Sequence, residues 1–108
     1  MAAYTFVVMS NPVAGREDEY NAWYDNQHLH DVLRVPGIVS ARRFKVADEA
    51  DAAPFRYCAL YNFETDDSAT VMAELGKRAG TAAMPMSDAL DPKLSATVFR
   101  AIGPLVVA

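Results

Sequence analysis

From Arg16 to Arg34 the chain carries no proline or glycine, then closes on Pro36-Gly37 and switches at once to the alternating segment "IVSARRFKV". That junction constrains the fold more than any other feature. A Pro-Gly pair stops a helix, and the period change from about 3.6 to 2 marks a strand behind it. Glu17, Asp18 and Glu19 sit in the first turn of the segment, where the helix dipole favours acids. A helix over Arg16 to Arg34 followed by a strand over Ile38 to Val46 is therefore expected.

The rest of the chain extends the pattern. "YTFVVMS" reads as a first strand within residues 1–10, and "NPVAG" as a turn. "FRYCALYNF", Phe55 to Phe63, reads as a third strand after the acidic loop "ADEADAAP". "ETDDSATVMAELGKRAG" opens on capping residues and repeats Val71, Leu75 and Ala79 at helical spacing, which predicts a second helix ending near Gly80. "TAAMPMSDALDPK" is a long loop, and "SATVFRAIGPLVVA" a last strand interrupted at Gly103-Pro104. Strand, helix, strand, strand, helix, strand is the ferredoxin-like βαββαβ order. It gives an α+β fold, an antiparallel four-stranded sheet with two helices on one face, in a single domain over 1–108.

Two helices cover one face of such a sheet, yet the middle strands carry apolar residues on both. A second copy of the sheet is the expected cover, which gives a homodimer. Alternation along the second strand groups Ile38, Ser40, Arg42 and Phe44 on one face and Val39, Ala41, Arg43 and Lys45 on the other. The tail "GPLVVA" is apolar and is expected to dock across that dimer or extend a sheet edge.

Composition narrows the function. Of 108 residues, 22% are charged and the net charge is -4, which disfavours nucleic-acid binding. Cys58 is the only cysteine, so neither an intramolecular disulfide nor a thiol-rich zinc site is expected. With no basic n-region at the start and no long apolar run, a cytoplasmic protein without a membrane partner is expected.

Both histidines and the only tryptophan fall in "YNAWYDNQHLHDVLRVPGI". On a helix, Tyr20, Tyr24, His28 and Asp31 share a stripe, and a core helix would show Leu or Val there. Asp25 and Asp31 flank His28, and either carboxylate would orient one ring nitrogen and raise the imidazole pKa to neutrality or above. His28, Asp31 and Tyr24 are accordingly the candidate catalytic residues, with His28 as general acid or base. Trp23, Tyr57, Tyr61 and Arg42 are the candidate substrate-binding residues. Tyr57 and Tyr61 share a strand face that is either pocket wall or dimer interface. Arg42 and Arg43 point to opposite faces, so at most one meets a pocket. His30 lies about 200° around the helix from His28, which disfavours a two-histidine metal site, and no third ligand is in view. Met84 and Met86, flanking Pro85, are either a mobile lid or packing.

"YNAWYDNQHLHDVLRVPGIVSARRF" and the late "TVFRAIGP" resemble the dimeric α/β-barrel superfamily, specifically small EthD-like proteins. That superfamily includes cofactor-free monooxygenases, polyketide cyclases, lactone isomerases and haem enzymes. The resemblance implies a small cofactor-independent enzyme doing acid/base chemistry on a hydrophobic aromatic or polyketide-like molecule. Isomerase, cyclase, lyase and cofactor-free oxygenase types all begin with a proton abstraction. The alternative is a non-catalytic small-molecule-binding or accessory protein of a catabolic or biosynthetic pathway.

Overall fold

A computed structural model describes residues 1–108. Strand β1 (Ala2–Ser10) leads into a helical stretch made of α1 (Glu17–Trp23), a π-helical turn (Tyr24–His28) and α2 (Leu29–Leu33). Then come β2 (Ile38–Lys45), β3 (Tyr57–Thr65), α3 (Ser68–Arg78) and β4 (Ser95–Arg100). The sheet order is β2-β3-β1-β4, with every neighbouring pair antiparallel. This is the expected ferredoxin-like α+β arrangement. No helix is long and apolar enough to cross a membrane.

Burial separates the two sheet faces. On β3, Tyr57, Ala59, Tyr61 and Phe63 face the helices and are buried. Tyr4 stacks on Phe63 at 5.2 Å, and Phe6 lies against Tyr61 at 5.9 Å, which locks β1 and β3 in register. The opposite face leaves Phe44 and Phe99 about half exposed. Tyr57 and Tyr61 thus belong to the helix-covered side and not to the open face.

Local signals explain the element ends. Asp67 caps α3: its Oδ1 accepts the Thr70 backbone N–H at 3.2 Å, and its Oδ2 accepts the Thr70 hydroxyl at 2.7 Å. Gly37 follows α2 with φ +101, and a Cβ there would meet Val71 Cγ2 at 3.1 Å. Both the left-handed backbone and the close approach of α3 require glycine.

Two expectations change, and the choice between lid and packing is narrowed. The β2–β3 register shifts between Ile38 and Ser40, a bulge that turns Ile38 inward to the side of Ala41 and Arg43 and leaves Val39 67% exposed. Strand parity read from the sequence had placed Ile38 with Arg42. The last strand stops at Arg100; beyond it the tail is extended outside the sheet, with Ile102 and Leu105 almost fully exposed. The loop between α3 and β4 is tied down, not loose: Val13 N–H donates to Ala89 O at 2.7 Å, Asp91 N–H to Asn11 O at 3.0 Å, and Met84 is fully buried.

Candidate functional site

The helical stretch turns Tyr20, Tyr24, His28 and Asp31 inward, with 0, 2, 9 and 2% exposure. The stripe read from the sequence is thus the buried face of the helix. Its lower end opens on a cavity of about 150 Å³ between the helix, β1, α3 and the α3–β4 loop. His28 and Tyr24 line it, with Phe6 and Val8 from β1, Leu75 from α3 and Met84 and Met86 from the loop. Apart from the Tyr24 phenol, His28 is the one polar side chain in that wall.

Two aromatic side chains pack around the imidazole. Trp23 stacks on it at 4.4 Å with the planes 23° apart, and Tyr24 meets it edge-on at 5.3 Å. The Trp23 indole N–H donates to Pro85 O at 3.0 Å, which ties the helix to the loop that walls the cavity. His28 Nδ1 is buried and has no hydrogen-bond partner. An unpaired polar atom at this depth costs about 1–3 kcal/mol, unless a ligand group supplies the bond.

Electrostatics correct one expectation. The His28 pKa is pushed down from 6.5 to about 4, because burial penalises the imidazolium more than the nearby Asp31 charge favours it. Neither candidate carboxylate holds the ring. Asp25 accepts from Arg43 at 2.8 Å, while Asp31 accepts from Gln27 at 2.7 Å and from Arg34 at 2.8 Å. Both acids are engaged by cations, and burial keeps the imidazole neutral at pH 7. Burial also pushes the Tyr24 phenol up to about 12, so it keeps its proton and remains a donor.

The remaining candidates divide by position. Tyr61 is buried behind Phe6, and its hydroxyl also lacks a partner. Tyr57 lies away from the cavity, packed on Tyr20 at 5.0 Å with its hydroxyl donating to Glu17. Arg42 is on the open sheet face with Ser40, Phe44 and Leu60, across the sheet from His28. The arginine on the helix side is Arg43, whose guanidinium lies over the rings of Tyr24 at 4.6 Å, Tyr57 at 5.3 Å and Tyr20 at 5.4 Å. Arg43 also donates to Asn21 at 2.7 Å. It braces the tyrosines and does not line the cavity. His30 is exposed and its Nε2 contacts the Asp25 backbone oxygen at 3.0 Å, away from His28. Sequence reasoning missed Leu75, Leu90 and Leu94 as cavity wall. Their only signal was ordinary apolarity.

The fold recurs in solved structures. A proposed monooxygenase from Shewanella loihica PV-4 superposes with a TM-score of 0.66, at 14% identity, covering 96% of this chain and 99% of that one. An ethyl tert-butyl ether d (ethd) family protein from Bacillus halodurans C-125 superposes with a TM-score of 0.55, at 13% identity, covering 94% of this chain and 100% of that one. At these identities the likeness is one of fold, and at that level the EthD-like resemblance holds. No curated protein matches the sequence. The family model described as "Domain of unknown function (DUF4286)" matches residues 4–77, which span β1 through most of α3, and the chain therefore belongs to that family.

Proposed function

We propose that the protein is a small cofactor-independent enzyme that removes a proton from a hydrophobic small molecule held in the His28 cavity. The observation that carries this reading is a buried, unpartnered imidazole nitrogen on a residue lining an otherwise apolar hollow. With its pKa near 4, His28 is free base at neutral pH and ready to accept a proton. Burial also makes it a weak base. The proton it takes must be acidic already, from a phenol or from a carbon between two carbonyls. Tyr24 lines the same cavity as a protonated phenol, and it supplies a hydrogen bond to the oxyanion that develops. Asp31 favours the imidazolium through its charge rather than through a hydrogen bond. Trp23 sets the ring plane by stacking. Isomerisation, elimination, cyclisation and oxygenation without a cofactor all start this way. The description of the Shewanella protein as a proposed monooxygenase supports keeping oxygenation in the set.

A binding or accessory role is the second reading. It is favoured by one observation: no carboxylate orients the imidazole. Oxygen-uptake and absorbance assays over a panel of phenols and lactones separate the two. Turnover that falls about a hundredfold or more in His28→Ala supports the enzyme. Binding with no turnover of any compound leaves the second reading.

The protein is further proposed to work as a homodimer through its open sheet face, where Phe44, Phe99, Met9 and Val39 are exposed. Light scattering that finds a monomer at micromolar concentration refutes this.

A further inference from the structure

The size, polarity and charge of the His28 cavity narrow what it can hold. This inference rests on reading that cavity as a small-molecule site. Its volume of about 150 Å³ matches apolar protein cavities that take up a single benzene ring. The lining holds no lysine, arginine or carboxylate. An anion entering it would lose its water and meet no counter-charge. The nearest guanidinium, Arg43, is committed to Asp25 and Asn21 and lies outside the wall. What the wall does offer is one imidazole, a ring nitrogen of which has no hydrogen-bond partner in the protein. A hydroxyl satisfies that nitrogen in either tautomer, because a hydroxyl both donates and accepts.

We propose that the His28 cavity takes an uncharged single-ring molecule with one hydroxyl, a phenol, in preference to aromatic anions or fused-ring compounds. The ring packs between Phe6, Val8, Leu75 and Met84, and the hydroxyl bonds to the His28 imidazole. A phenol has a pKa near 10, so it enters neutral at pH 7. A fused second ring exceeds that volume and would project from the open mouth into water. Fused polyketide skeletons, which remained open on sequence grounds, are thereby disfavoured.

The test is titration of the whole protein with phenol, toluene, benzoate and 1-naphthol, followed by the NMR shifts of the His28 imidazole and the Trp23 indole. Phenol is expected to saturate and to bind about five- to tenfold more tightly than toluene, the worth of one net hydrogen bond. Benzoate and 1-naphthol are expected to bind at least about tenfold more weakly than phenol. His28→Leu should erase the gap between phenol and toluene, and His28→Gln, which keeps a hydrogen-bonding group, should restore part of it. Benzoate or 1-naphthol binding as tightly as phenol overturns the proposed class but leaves the site. An undiminished gap in His28→Leu also overturns it, since the hydroxyl is then bound elsewhere. If none of the four compounds moves either resonance, the site reading falls and the phenol with it.

Discussion

Burying His28 as a neutral ring has a consequence for stability that can be measured without knowing any substrate. In the unfolded chain the imidazole titrates near 6.5; in the fold it titrates near 4. Between those values the unfolded chain binds a proton that the native state does not. Stability is therefore fully present above about pH 6.5 and falls as the pH drops toward 4, below which both states are protonated. At about 1.4 kcal/mol for each tenfold change in proton affinity, the full loss is about 3 kcal/mol, with about 2 kcal/mol gone by pH 5. That is a large share of the stability of a domain this size, and it displaces a urea midpoint by about 1–2 M.

Carboxylates do not mask this window. Hydrogen bonds from Lys45, Thr70 and Arg16 hold Glu49, Asp67 and Asp88 below their ordinary values of 4.5, 3.8 and 3.8, so they titrate at lower pH. Urea melts at half-unit steps from pH 7.5 to 5 should show the decline in the parent protein. His28→Phe should flatten it, and His30→Gln should leave it in place. An NMR titration of the ring protons reads the same quantity directly. A flat stability profile over this range, or a His28 pKa at or above 6.5, refutes the neutral buried imidazole and removes the support for a base that is free at pH 7.

Arg43→Ala should destabilise the fold by about 2–4 kcal/mol in a urea melt, since it removes charge-assisted bonds to Asp25 and Asn21 and the cation over three tyrosine rings. Arg42→Ala, with its side chain on the open face, should stay within about 0.5 kcal/mol by the same assay. Gly37→Ala should cost about 1–3 kcal/mol in thermal unfolding, because it strains a φ of +101 and presses Val71, whereas Gly76→Ala in the last turn of α3 meets nothing within 4 Å and should be neutral or stabilising. Deleting residues 103–108 should weaken self-association in analytical ultracentrifugation, since Leu105, Val106 and Val107 are 90, 85 and 78% exposed and make no apolar packing within their own subunit.

The fold was legible because its signals are local. Alternation in "YTFVVMS", the Pro36-Gly37 stop and the Asp67 cap each act within a few residues. What failed to read was set at a distance or by a single residue. The bulge at Ile38/Ser40 reverses strand parity over one position, and with it the arginine that meets the helices. Two acids beside His28 predicted a raised pKa, but Arg43 arrives from β2 to take Asp25 and Arg34 takes Asp31, leaving burial to decide. The cavity itself needs Met84, Leu90 and Leu94, some sixty residues downstream of His28 in the chain.

The stripe was read correctly although the helix that carries it is not a plain α-helix. A four-residue step overshoots one α-helical turn by about 40°, so Tyr20, Tyr24 and His28 on an α-helix would drift progressively around the axis. The observed helix changes to π geometry at Tyr24–His28, where the Leu29 N–H reaches back to Tyr24 O. A π turn is wider, so the same four-residue step falls short of a full turn. The second step then cancels the drift of the first, and His28 returns beneath Tyr20 on the buried face. The π turn also carries Asp25 out toward Arg43 while His28 turns in, which is how one short segment presents its acid to the cation and its imidazole to the cavity.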